Sequence, residues 1–161
     1  MAGVAVQASL VMVAGLAVAG CEEQTPSHAG SYPGDFEGGY AGLGQLREDG
    51  TATSVQLTFT GRADADVSVG ANRRLEVSMP GCRLTLAGED GEPGLAIEGA
   101  DGDCEILVGG SVGTVPLEEI EGVVRFVEGR IAIELRAAAP PREDGAPPAR
   151  VTYLFEGQRI P

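Results

Sequence analysis

A two-residue alternation of apolar and polar side chains runs through most of the chain, and it constrains the fold more than any other feature. Val55, Leu57 and Phe59, for example, alternate with Gln56 and Thr58. Successive side chains of a β-strand point to opposite faces, so such a run buries one face and exposes the other. Antiparallel sheets accommodate this arrangement, whereas buried parallel strands have continuous apolar runs. The pattern therefore predicts an antiparallel, all-β fold.

Turn-forming residues separate the alternating runs, for example at Gly61, Pro80-Gly81 and Glu128-Gly129. Such residues are typical of hairpin turns. The runs predict strands at residues 36–46, 51–60, 63–69, 74–79, 82–87, 94–98, 103–108, 122–128, 130–137 and 150–156. Short connections between consecutive strands favour an up-and-down meander that forms a small barrel or a sandwich. We expect this β domain to occupy residues 35–161.

Two segments interrupt the predicted meander. Residues 114–120 place Thr114 near a cap position and Pro116 in a first turn, which predicts a short helix. Residues 138–149 contain four prolines without apolar periodicity, which predicts a surface loop.

The first predicted strand alternates glycine with an aromatic residue, with Tyr40 between Gly38 and Gly42. This pattern predicts a strand that bends tightly around a barrel or is approached closely by another backbone. It loosely resembles the opening strand of lipocalin-like barrels. The resemblance implies a carrier of a small apolar ligand, with an interior lined by Phe59, Phe126, Tyr153 and Phe155.

The first twenty residues have no charged side chain and end in Val18-Ala19-Gly20-Cys21. These four residues resemble the lipobox of bacterial lipoproteins. The resemblance implies that residues 1–20 form a signal helix that is removed, and that Cys21 then carries palmitate-like acyl chains that anchor the protein to a membrane. The alternatives are an ordinary cleaved signal peptide and an uncleaved transmembrane helix, which needs about 20 apolar residues.

The residue after the proposed lipidation site is Glu22 rather than the aspartate that resembles an inner-membrane retention signal. We therefore expect the outer membrane, with the protein facing the periplasm or the cell surface. Residues 21–34 are polar and contain two prolines, which predicts a flexible tether. The single histidine of the chain, His28, falls in this tether, whereas a nucleophilic triad needs a histidine held rigidly in a cleft.

Cys82 and Cys104 form an even pair once Cys21 carries lipid. In an oxidising compartment a disulfide is the default for such a pair, and two buried thiols are the alternative. Each cysteine shares the parity of the apolar residues in its strand, so both are predicted to project into the core. Because the chain has no Cys-x-x-Cys motif, we predict a structural disulfide rather than a redox site.

The formal charge of −13 and the absence of lysine disfavour nucleic-acid binding and a Walker-type phosphate loop. Asp101, Asp103 and Glu105 match the first ligand spacings of a calcium loop, but Ile106 and Val112 stand where glycine and glutamate are needed. We therefore predict a solvated hairpin there, with no metal site and no cofactor.

These observations predict a lipid-anchored envelope protein that acts as a non-catalytic binding or scaffolding module. Its expected partner is an envelope protein or a cell-wall component, recognised through the loops. The lipocalin-like carrier is the first alternative. A hydrolase that uses paired carboxylates is the second, although the chain has no tryptophan to stack on a sugar.

Overall fold

The computed structural model describes residues 26–46, 48–110, 112–141 and 146–161. In these ranges the chain forms ten β-strands and one short 3₁₀ helix, Ala71–Arg73. The strands are β1 (Gly30–Leu46), β2 (Ala52–Val69), β3 (Leu75–Met79), β4 (Cys82–Ala87), β5 (Gly94–Ala100), β6 (Glu105–Gly109), β7 (Gly113–Pro116), β8 (Glu118–Val127), β9 (Arg130–Ala139) and β10 (Ala149–Gln158). The all-β prediction is confirmed. Within the described ranges, no helix has the length and apolar character needed to cross a bilayer.

Eight of the strands form a closed antiparallel barrel in the order β1-β10-β9-β8-β5-β4-β3-β2, and β2 pairs back onto β1. Strands that follow one another in the chain are neighbours in the barrel, except that β6 and β7 form a separate hairpin between β5 and β8. The predicted meander is therefore confirmed, and its closure selects the barrel over the sandwich.

The hydrophobic core fills the inside of the barrel and comes from every second residue of each strand. On β9, Ile131, Ile133 and Leu135 are buried, whereas Glu134 and Arg136 between and beside them are exposed. Each strand thus places its apolar residues inward, as the alternation in the sequence predicts.

Different segments of the chain lie at the two ends of the barrel. At the lower end lie residues 26–29, the β2–β3, β4–β5 and β8–β9 connections, and the C-terminal residues 159–161. At the upper end lie the β1–β2 turn, the β6–β7 hairpin and the β9–β10 loop.

A disulfide between Cys82 and Cys104 fastens the β6–β7 hairpin to the upper end. The two Cα atoms are 4.3 Å apart and both side chains are buried, as predicted. The Glu105 N–H donates a hydrogen bond to the Gly81 carbonyl oxygen at 2.7 Å, and the Leu117 N–H donates to the Cys104 carbonyl oxygen at 2.7 Å. The disulfide and the Glu105 hydrogen bond therefore hold one side of the hairpin base against the barrel, and the Leu117 hydrogen bond closes that base.

The predicted turn at Gly61 is wrong, because the predicted strands 51–60 and 63–69 form the single strand β2. The ring of Phe36 occupies the space beside this glycine, where an added Cβ would lie 2.5 Å from Phe36 Cζ. Gly61 therefore makes room for an aromatic ring inside the barrel rather than reversing the chain.

The predicted helix at residues 114–120 is also wrong, because this segment forms β7 and the start of β8. Val115 and Leu117 are buried, whereas Thr114 and Pro116 are exposed. The two-residue apolar period therefore prevails over the helix-start signals of threonine and proline.

The strands also extend into segments predicted to be irregular. β1 begins at Gly30 rather than near Asp35, so the last residues of the predicted tether belong to the barrel. β9 continues to Ala139 and β10 starts at Ala149, which shortens the predicted loop; residues 142–145 of that loop lie outside the described residues.

Glycines of β1 allow close packing inside the barrel. A Cβ on Gly38 would lie 2.2 Å from Phe59 Cζ and 2.5 Å from the Thr152 carbonyl oxygen, and a Cβ on Gly34 would lie 2.0 Å from the Glu156 carbonyl oxygen. The close approach predicted from the alternation of glycine and aromatic residues is therefore present.

We predict that Gly38→Ala lowers the free energy of unfolding by about 1–3 kcal/mol, because overpacking forces rings and backbone apart. Gly39→Ala is the matched control: its Cβ would face outward and meet Thr152 Oγ1 at 3.0 Å, a side-chain atom that can move. Urea unfolding of both variants checks this prediction. Equal losses at the two positions would contradict it.

Candidate functional site

The interior of the barrel is the first place to look for a ligand site, because the lipocalin-like resemblance implies one there. Phe59, Phe126, Tyr153 and Phe155 are all buried, as predicted. The rings of Phe59 and Tyr153 pack against that of Phe36, whose centroid lies 5.4 Å from the Tyr153 ring and 6.5 Å from the Phe59 ring. Burial raises the pKa of Tyr153 to about 12.

A small cavity lies beside this aromatic cluster, bounded by Cys82, Leu117 and Tyr153 among others, and its volume is about 20 Å³. One water molecule needs roughly 10–15 Å³, whereas small-molecule sites occupy roughly 300–1,000 Å³. The aromatic side chains here fill the core instead of lining a ligand chamber.

The acidic turn before β6 is exposed at the upper end. Asp101 is tied to β4, because its N–H donates to the Arg83 carbonyl oxygen at 3.0 Å. Asp103 and Glu105 are solvent-exposed. In the part of the chain that the structure describes, no group of three or more His, Cys, Asp or Glu residues is arranged to hold a metal ion.

An open groove of about 820 Å³ crosses the outer surface of β2, β1, β10, β9 and β8. We call it the outer groove. Strand register shows how it is built, since directly paired residues on one face lie about 4.5–5.5 Å apart. One cross-strand row that lines the groove consists of Thr60, Glu37, Leu154, Glu134 and Val123.

The next cross-strand row deepens the groove. It consists of Thr58, Gly39, Thr152, Arg136 and Glu121. Gly39 faces outward between the two threonines, so three small residues stand side by side at one end of the row. The longer side chains of Arg136 and Glu121 follow at the other end.

The outer groove is predominantly acidic. Four glutamates and one arginine line it: Glu37, Glu121, Glu134, Glu156 and Arg136. Arg125 on β8 forms an ion pair with Glu134. The half-buried Leu154 and Val123 provide apolar contact surface between the charges. Such a surface attracts a positively charged group by its summed field.

A second depression of about 720 Å³ adjoins the outer groove toward the lower end. It shares Glu37, Thr60, Leu154 and Glu156 with the outer groove. Asp35 and Arg62 at its edge form an exposed ion pair with Nε and Oδ1 3.2 Å apart. The two depressions together give a continuous concave surface along one side of the barrel.

His28 is bound to the lower end of the barrel and does not lie in a free tether, contrary to the sequence prediction. Its ring stacks on Phe126 with centroids 4.0 Å apart and planes inclined by 6°. Its backbone N–H donates to Asp90 Oδ1 at 2.7 Å, Nε2 lies 2.9 Å from the Glu92 carbonyl oxygen, and the Tyr32 hydroxyl donates to the His28 carbonyl oxygen at 2.7 Å. We call residues 26–29 the N-terminal clasp, because they hold the start of the chain against the lower end.

Asp90 is the charged group at the centre of the N-terminal clasp. Partial burial acts to raise the pKa of its carboxyl, but hydrogen bonds from Ser27 and the His28 N–H, with the charges of His28 and Arg73, outweigh burial and lower that pKa. The ionised carboxylate therefore stabilises the clasp.

The comparisons give no family to which this chain belongs. No known protein family matches it, and no curated protein is significantly similar to it.

Of the predicted site residues, the structure brings Cys82 and Cys104 together. Cys21 and residues 1–20 lie outside the described residues, so lipid attachment stays a prediction. The outer groove and the N-terminal clasp were both missed by sequence reasoning. The exposed positions of the alternating runs were visible in the sequence, but the register that aligns Glu37, Leu154 and Glu134 was not.

We predict that Asp90→Asn loosens the N-terminal clasp. The single histidine gives one set of imidazole proton signals, and stacking on Phe126 shifts them by the ring current. In Asp90→Asn these NMR signals should move toward the values of a free histidine, whereas the neighbouring exposed Glu89→Gln should leave them in place. Unchanged signals in Asp90→Asn would show that the carboxylate does not hold the clasp.

The same signals should report a pH dependence. Because the pKa of Asp90 is lowered in the folded protein, its stabilisation is complete above about pH 4 and is lost as the pH falls through the lowered value. We expect the ring-current shift to persist at pH 5 and to decline in stronger acid. A decline that is the same in Asp90→Asn would assign it to another group.

Proposed function

We propose that this protein is a lipid-anchored, non-catalytic binding module of the bacterial envelope that holds its partner in the outer groove. The observation that carries this proposal is the contrast between about 820 Å³ of open space on the outside and a cavity of about 20 Å³ inside. The groove falls within the size range of recognition sites, and the inner cavity falls far below it.

The partner that fits the outer groove best is an extended polypeptide segment with basic side chains. Five strands at about 4.8 Å spacing give a groove roughly 20 Å long, which accommodates about six residues at roughly 3.3 Å each. Glu37, Glu121 and Glu156 supply negative charge, and the hydroxyls of Thr58 and Thr152 supply hydrogen-bonding groups. A segment of another envelope protein that carries arginine or lysine matches this chemistry.

The filled interior weighs against the alternative function as a carrier of an apolar ligand. Rings of Phe36, Phe59 and Tyr153 occupy the space that a ligand would need. The β6–β7 hairpin and the N-terminal clasp also cover parts of the two ends. Binding on the outside requires none of these groups to move.

We predict that labelled palmitate is incorporated through Cys21, since the proposed address depends on lipid at that residue. Cys21→Ser should lose the label. Cys82→Ser is the matched control and should keep it, because the lipobox precedes Cys21 alone. Label retained by Cys21→Ser would refute the lipid anchor, and fractionation of the labelled protein distinguishes the outer from the inner membrane.

We predict that a photo-crosslinking residue at Thr152, in the outer groove, captures an envelope protein in living cells. The same residue at Ala87, which is exposed on β4 outside the groove, should not capture it. Glu37→Lys in the Thr152 background should weaken capture several-fold, because it places positive charge against a basic partner. Equal capture from both positions, or capture insensitive to Glu37→Lys, would contradict recognition by the groove.

A further inference from the structure

Three exposed apolar side chains lie at the lower end of the barrel. Among the residues that the structure describes, the exposed large apolar side chains are Val69, Leu107, Val127 and Ile160, with exposures of 44%, 68%, 60% and 55%. Val69 ends β2, Val127 ends β8, and Ile160 follows β10, so all three lie at the lower end. Leu107 alone lies on the β6–β7 hairpin at the upper end.

The N-terminal clasp fixes where the preceding chain leaves the barrel. Residues 26–29 are held at the lower end by Asp90, Glu92, Phe126 and Arg159, whose Nη1 donates to the Ser27 carbonyl oxygen at 2.9 Å. Seven peptide units separate Cys21 from His28. At full extension they reach about 25 Å, so a lipid on Cys21 keeps the lower end within that distance of the bilayer.

Four of the eleven arginines of the chain lie at the lower end of the barrel, although the whole chain carries −13. The arginines there are Arg73, Arg74, Arg130 and Arg159, and the acidic residues in the turns beside them are Glu89, Asp90, Glu92 and Glu128. Arg74 also pairs with Glu98 on β5. This end therefore approaches phospholipid headgroups with less repulsion than the acidic outer groove.

We propose that the lower end of the barrel rests on the membrane, with Val69, Val127 and Ile160 in contact with the lipid interface. This inference rests on the lipid anchor of the proposed function. Three aliphatic side chains bind a bilayer weakly by themselves, but the anchor makes the contact intramolecular and raises the effective concentration of the lower end at the surface. The upper end, with the disulfide-fastened hairpin, then points away from the membrane, and the outer groove opens to the side.

The absence of tryptophan from the chain provides a direct test. Val127→Trp and the control Leu107→Trp each introduce a single fluorescent tryptophan, the first at the lower end of the barrel and the second at the upper end. The full lipidated protein is reconstituted into vesicles of equal parts phosphatidylcholine and phosphatidylglycerol with brominated acyl chains. We expect Val127→Trp to lose most of its emission relative to unbrominated vesicles and Leu107→Trp to keep it.

Equal quenching of the two tryptophans, or none at Val127→Trp, overturns the proposed orientation. Ile160→Trp provides a second emitter at the lower end if Val127→Trp does not give the circular dichroism of the wild type. An unquenched Val127→Trp emission that shifts to shorter wavelength with protein concentration shows that a second copy covers this end, which also overturns the proposal.

Flotation of the reconstituted protein distinguishes a failure of the lipid anchor from a failure of the proposed orientation. If the protein floats with the vesicles but shows no quenching at the lower end, the lipid anchor is present and the proposed orientation is wrong. Protein that does not float refutes the lipid anchor and the orientation together.

Discussion

Close packing against the glycines of β1 is the constraint on which the rest of the structure depends. The ring of Phe59 lies against Gly38, and the ring of Phe36 lies against Gly61 of β2, at distances that leave no room for a Cβ. These contacts bring β1 close to its neighbours and let large side chains fill a narrow barrel. At the next residue, Gly39 faces outward between Thr58 and Thr152 and leaves space between their side chains. Gly38 therefore lets an aromatic ring pack inside the barrel, and the adjacent Gly39 leaves space on the outer surface.

This division of space between a packed interior and an open outer surface favours binding on the outside of the barrel. Small barrels commonly fill their interior with side chains, and the aromatic cluster around Tyr153 does so here. The outer groove combines concavity, acidic charge and half-buried apolar residues in one place, which suits the proposed binding on the outside. The N-terminal clasp fixes the end of the barrel from which the preceding chain departs.

Much of the fold could be predicted from local pattern because the apolar period of two follows directly from strand geometry. The inward projection of Cys82 and Cys104 was predicted from the same parity, whereas the crowding at Gly38 was predicted from the glycines of the first strand. The helix predicted at residues 114–120 was wrong because capping signals are short, whereas the alternation of Val115 and Leu117 reflects packing in the folded protein.

The site was harder to predict because it depends on long-range register. Glu37, Leu154 and Glu134 become neighbours only when β1, β10 and β9 pair at one particular offset. The clasp was hidden for a similar reason, since His28 and Phe126 are far apart in sequence and His28 lies in a segment of tether-like composition.

The central claim is that this barrel binds its partner on the outside while its interior stays filled. NMR chemical-shift mapping of the isotope-labelled protein during titration with an arginine-rich extended peptide tests it most directly. The account predicts shifts at the amides of Gly39, Thr58 and Thr152 that saturate together, with the methyl signals of the core residues Val124 and Ile133 unchanged. Saturable shifts of those core methyls on addition of a small apolar ligand, with no response at the groove amides to the peptide, would contradict it.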